Sequence, residues 1–197
     1  MDIRQATKQD CRSIAELALI AGEGIPAYFW RQAKRPGQTL EDIGAQKAGS
    51  ETENFSYRNV LLATIDNRIA GMLLAYRLPD LENAEDLAGF PELIRPLIEL
   101  ECCVPGSFYL NMLATYPEFR NRGVGTRLMT YADRFAAHTG CATISVKVFE
   151  QNTGALKLYQ RLGYSIVEKR RVIPHPSHPY TGEIALLTKA VDESAWS

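Results

Sequence analysis

Apolar and polar residues alternate along this chain in two rhythms, and the rhythm switches several times. Residues 2–6 read as a short opening strand. Thr7-x-x-Asp10 then marks a helix start, and Ile14, Leu17, Ala18 and Ala21 come next at helical spacing. A second helix is expected over about 25–35. A third begins at Thr39, with Glu41 and Asp42 early, Lys47 late and Gly49 as its stop. Residues 50–58 are polar and read as loop. The pattern then turns to strand over 59–66 and 68–78, and Asp66-Asn67 supplies hairpin turn chemistry between them.

Residues 79–106 form a long insertion punctuated by Pro79, Pro91, Pro96 and Pro105, with a short helix around Leu93–Leu100. A strand is predicted over 107–116, then a helix of about 16 residues that ends near Gly140, then a strand over 142–150. Residues 152–163 read as a helix opened by Asn152 and closed by Gly163. Strands over 164–173 and 183–191 close the chain, joined by the Pro/His-rich loop PHPSHPYTG. No repeat, low-complexity tract or linker interrupts this order. It predicts one domain over 1–197, of mixed α/β (α+β) class, with a mostly antiparallel central sheet flanked by helices.

Composition narrows the function. The chain has 197 residues, 46% of them hydrophobic, and a net charge of −1. That balance gives no bulk field to recruit nucleic acid or an anionic membrane. There is no apolar run long enough to span a bilayer, and MDIRQATKQD lacks a hydrophobic signal core, so a cytoplasmic protein is expected. Cys11, Cys102, Cys103 and Cys141 show no disulfide or zinc-ribbon spacing and read as reduced packing residues.

The chemistry concentrates in RNRGVGTRLM, where arginines and glycines stand directly between a strand and an amphipathic helix. A helix N-terminus leaves amides unpaired and carries partial positive charge, so it binds anions. Glycine lets a ligand approach the backbone, and arginine adds a fixed fork of donors. The arrangement suits a diphosphate. A P-loop is disfavoured because the glycines are not succeeded by Lys-Ser/Thr. The dinucleotide fingerprint is disfavoured because its third glycine would fall at Leu128.

LATYPEFRNRGVGTRLM, residues 113–129, resembles the acetyl-CoA motif of the GNAT superfamily of N-acetyltransferases, including Pro117, Arg120, Gly123 and Gly125. Asn152, Ala155, Leu158, Tyr159, Leu162, Gly163 and Tyr164 supply a second element of that family in the right order. The resemblance implies a GNAT-like fold and direct acetyl transfer from acetyl-CoA to a primary amine of a small molecule, peptide or protein. A non-catalytic acyl-CoA-binding regulatory module is the alternative. It implies that Arg120, Asn121, Arg122, Gly123, Val124, Gly125 and Thr126 hold the pyrophosphate. Leu113, Ala114 and Thr115 would pair with the pantetheine arm, an N–H near Leu113 polarising the thioester carbonyl. Asn152 would contact the arm or serve as a plain helix cap, and Tyr159 would act as general acid. Family members are often dimers, so a homodimer is one expectation, with the final strands as its contact edge.

A base or a desolvating pocket is needed because an amine of pKa near 10.4 must lose a proton before it attacks. Glu99 and Glu101 precede the central strand and are the candidates, with Glu150 behind them. Tyr28, Phe29 and Trp30 read as core or as acceptor-pocket lining. His175-x-x-His178 has no third metal ligand at diagnostic spacing, so no metal is expected. The loop reads as a rigid connection or a gate.

Overall fold

The computed structural model describes residues 1–80 and 87–191. Its strands are β1 (Asp2–Gln5), β2 (Val60–Ile65), β3 (Arg68–Arg77), β4 (Phe108–Thr115), β5 (Thr143–Phe149), β6 (Ser165–Arg171) and β7 (Glu183–Ala190). Its α-helices are α1 (Cys11–Ala21), α2 (Ile25–Ala33), α3 (Leu40–Ala48), α4 (Arg95–Glu101), α5 (Val124–His138) and α6 (Thr153–Arg161). The seven strands are arranged in the order β1-β2-β3-β4-β5-β7-β6. Pairing is antiparallel for β1–β2, β2–β3, β5–β7 and β6–β7, and parallel for β4–β5. The mixed, mostly antiparallel fold class is therefore as the sequence pattern predicts. The chain divides into two compact units, Met1–Tyr76 with Asn111–Ala132, and Arg77–Leu110 with Asp133–Ser197.

In the first unit, the β2–β3 hairpin turns at Asp66 and Asn67, both with positive φ (50° and 61°). That is the conformation a tight hairpin demands and Asp/Asn tolerate. Thr39 caps α3, accepting from the Asp42 N–H at 3.2 Å, while Asp42 accepts from the Thr39 N–H at 2.7 Å. This is the reciprocal capping box. One 3-10 turn separates Thr7 from the start of α1 at Cys11. Asp10 accepts from the Thr7 N–H and hydroxyl at 2.8 and 2.9 Å, and from the Arg4 guanidinium at 2.9 and 2.8 Å.

The core of this unit joins Ile14, Leu17 and Ala18 of α1, Trp30 of α2, Ile43 of α3, and Val60, Leu62, Met72, Leu74 and Ala114 of the strands. Trp30 is thus core. It packs beside Phe55, with ring centroids 5.7 Å apart. A glycine inside α3 makes room for it, since a Cβ at Gly44 would lie 2.4 Å from the indole.

In the second unit, β4 pairs with β5 from Phe108↔Ile144 to Leu110↔Val146. The last strand in sequence, β7, runs between β5 and β6. Ile144, Val146, Val148, Ile184, Leu186 and Leu187 are buried along these strands. Among them the hydroxyls of Ser107 and Ser145 satisfy each other at 2.7 Å.

Candidate active site

The first unit carries the turn expected to bind an anion. The Tyr116 amide donates to Ala70 O at 2.9 Å where β4 ends. Pro117–Phe119 then makes a single 3-10 turn. Phe119 is buried and anchors the turn ahead of α5. The Arg122 and Arg68 guanidinium groups lie 5.6 and 5.0 Å from its ring centroid, and Arg68 also donates to Glu118 at 3.2 Å. Arg120, Asn121, Arg122 and Gly123 are exposed.

Asn121 and Gly123 adopt positive φ, 60° and 78°. A Cβ at Gly123 would meet no atom within 4 Å, so the glycine serves the backbone conformation and leaves the face of the turn open. Helix α5 starts directly behind it. The Arg127 amide closes the first intrahelical bond, on Gly123 O at 2.9 Å. The amides of Val124, Gly125 and Thr126 therefore have no acceptor within the helix and sit at the positive end of its dipole. The turn fits a diphosphate chemically: oriented amides, two exposed arginines and no side chain at its centre.

Leu113 and Thr115 are half-buried, and Ala114 is buried in the core of the same unit. Sequence reasoning missed Gly71. A Cβ there would lie 2.4 Å from Ala114 O and 2.9 Å from Val124 Cγ1. The lone glycine in an otherwise apolar strand was the available signal for a close backbone approach. Tyr116 was missed as well. Its phenol donates to Glu16 of α1 at 2.7 Å, and burial, reinforced by that carboxylate, pushes its ionisation well above the ordinary tyrosine range.

The second unit carries the remaining expected residues. Asn152 caps α6, its Oδ1 accepting from the Ala155 N–H at 3.2 Å, and its own amide donates to Phe149 O at 2.8 Å. Tyr159 lies on this helix, buried, with its ring centroid 6.1 Å from that of Tyr164. The Tyr164 phenol reaches Asp133 at 3.4 Å, and Asp133 also holds Lys189 at 2.7 Å. Glu99 accepts from the Arg170 Nε–H at 2.9 Å.

Glu101 pairs with Lys147 of β5. The Lys147 side chain is 5% exposed, its Nζ donates to Leu97 O at 2.9 Å, and the Tyr109 ring lies 5.1 Å away. Burial pushes the Lys147 ammonium below its ordinary range, against the opposing pull of Glu101. Both expected base carboxylates are thus engaged in ion pairs through one oxygen each.

A profile of the acetyltransferase (GNAT) family matches residues 26–164, well over half of the chain. The chain belongs to the acetyltransferase (GNAT) family. Over 56 residues it is 36% identical to the N-alpha-acetyltransferase MAK3 of Arabidopsis thaliana. That stretch is 28% of this chain and 30% of that enzyme, so the match spans under a third of the relative's length. Solved structures share the GNAT fold across almost the whole chain. The Drosophila melanogaster polyamine N-acetyltransferase, which forms N-acetylagmatine, aligns with a TM-score of 0.65 at 16% identity, covering 96% of this chain and 99% of that one. The yncA protein of Salmonella typhimurium, solved with its cofactor acetyl-CoA, aligns with a TM-score of 0.59 at 15% identity, covering 98% and 95%.

Proposed function

We propose that this protein is an acetyl-CoA-dependent N-acetyltransferase that moves the acetyl group directly to a primary amine of a small molecule, peptide or protein. The observation that carries this reading is the turn from β4 into α5. Its left-handed Asn121 and Gly123, exposed Arg120 and Arg122, and the first amides of α5 form a cradle for a diphosphate. Family membership and the acetyl-CoA bound by the Salmonella protein support coenzyme A as the diphosphate's carrier. The family match runs through residues of both compact units, which supports one acetyltransferase domain. The four free cysteines support a reducing, cytoplasmic setting.

In this reading Arg120–Thr126 hold the pyrophosphate. Leu113, Ala114 and Thr115 pair with the pantetheine arm, and an N–H near Leu113 polarises the thioester carbonyl. Asn152 fixes the start of α6 and meets the arm. Tyr159 donates a proton to the departing thiolate. Glu99 and Glu101 are the candidate bases, acting directly or through water. The test is a thiol-release assay with acetyl-CoA and a panel of primary amines. Turnover on at least one amine is expected, with kcat reduced about 100-fold in Tyr159→Phe. Stabilisation by coenzyme A without turnover on any amine would make the chain an acyl-CoA-binding module instead.

A further inference from the structure

The first unit holds a cavity that the proposed acetyl transfer leaves unused. Its volume is about 660 Å³, within the range of small-molecule sites. The end of α2, the connection behind it, α3 and the loop over 50–55 line it. That loop leads into Val60, the first residue of β2. The β4–α5 turn is instead tied to Arg68, just past the hairpin at the other end of the same strand. The six residues of β2 put about 20 Å between those two ends.

Hydrogen bonds fix the walls. The Ser50 hydroxyl accepts from the amides of Thr52 and Glu53 at 3.3 and 3.2 Å. The buried Ser56 hydroxyl donates to Ser50 O, and Asn59 Nδ2 donates to Asn54 O at 3.0 Å. Past the end of α2, the Arg35 amide donates to Gln38 Oε1 at 3.1 Å. Part of the lining is apolar: Ile43 is 4% exposed, and Phe55 packs beside Trp30 of the core.

Three exposed charged residues, Arg35, Lys47 and Glu53, line the same cavity. Among the described residues none of their side chains has an ion-pair or hydrogen-bond partner, so the opposite charges stand apart across the cavity. The rest of the unit behaves differently. Arg4, Lys8, Arg12, Arg58 and Arg68 each hold a carboxylate, and Glu51, two residues before Glu53, holds two cations. The cations left without a carboxylate among the described residues of 1–76 are Arg31, Lys34, Arg35 and Lys47, all at or just past the ends of α2 and α3.

A solute carrying one charge of each sign would bridge that separation. Helix C-termini carry partial negative charge, about half an elementary charge each. The ends of α2 and α3 thus offset the excess of Arg35 and Lys47 over Glu53, and a bare anion finds little net attraction. A zwitterion gains at both ends, because its carboxylate and its ammonium meet separate partners. We propose that this cavity binds a free aliphatic amino acid. The carboxylate lies between Arg35 and Lys47, the ammonium on Glu53, and the side chain against Ala33, Ile43 and Phe55. The site is separate from the diphosphate turn, and the proposal stands apart from the acetyltransferase reading.

The test is a titration of leucine, isoleucine and valine into isotope-labelled protein without acetyl-CoA, followed by nuclear magnetic resonance. At least one should shift the amides of Lys47, Glu53 and Asn54 saturably below about 10 mM. Its one-charge analogues (for leucine, isocaproate without the ammonium and isoamylamine without the carboxylate) should bind there at least about tenfold more weakly. Arg35→Ala and Glu53→Gln, both at exposed positions that folding tolerates, should each weaken that binding about tenfold and leave the affinity for coenzyme A unchanged. Isocaproate that binds as tightly as leucine would make the cavity an anion site and overturn the proposal. So would the absence of saturable shifts at these amides with all three amino acids, or shifts that survive both substitutions.

Discussion

At Gly71 a single hydrogen in place of a methyl group lets β3 lie against Ala114 O and Val124. Gly71→Ala places a carbon 2.4 Å from a backbone oxygen that cannot swing away. The expected cost is about 1–3 kcal/mol by denaturant melting, with weaker coenzyme A binding because Val124 opens α5. Asp10 gives a second prediction at this scale. Hydrogen bonds from Arg4, then from Thr7, hold its carboxyl down to about 2. A depressed carboxyl stabilises the fold above the unfolded value of roughly 3.9 and loses that contribution as pH falls towards the folded one. Allowing for the exposure of Arg4, the loss between about pH 4 and pH 2 is on the order of 1–2 kcal/mol. It should vanish from the acid denaturation curve of Asp10→Asn. Asp10 was readable as a helix-start residue because its partner Thr7 is local. Its bond to Arg4, six positions back, was not, because it depends on how β1 runs into the turn before α1; the neighbours of Gly71 come from chain segments that meet only after folding.

At the scale of elements, caps and turns were legible because their chemistry is short-range: Thr39 with Asp42, Asn152 with Ala155, Asp66-Asn67 between β2 and β3. The placement of β7 between β5 and β6 was not, since apolar strands carry no label for their neighbour. Nor was the tie between α4 and β5. Glu101 looked like a free carboxylate in the sequence, and its cation, Lys147, lies 46 positions away. Removing one member leaves the other buried or part-buried and unpaired. Glu101→Gln should therefore destabilise by about 3–5 kcal/mol. The double change Lys147→Met with Glu101→Leu should recover most of that. Thermal melts of the unsubstituted protein and the two variants check the order, and a double variant no more stable than the single one would refute the pairing as the cause.

For the whole molecule, the family was legible because two motifs occupy the right order along one chain, and the profile match over 26–164 agrees. The acceptor was not, because the segments that would select it carry no shared signature. The proposed function depends on the β4–α5 turn gripping the diphosphate of coenzyme A. Titration calorimetry of coenzyme A into the unsubstituted protein and into Gly123→Glu tests this most directly. Saturable binding is expected for the former and a loss of at least about tenfold in the latter, where a carboxylate repels the diphosphate and a side chain strains a backbone at φ 78°. Absence of binding to the unsubstituted protein, or equal affinity in the two, would contradict it.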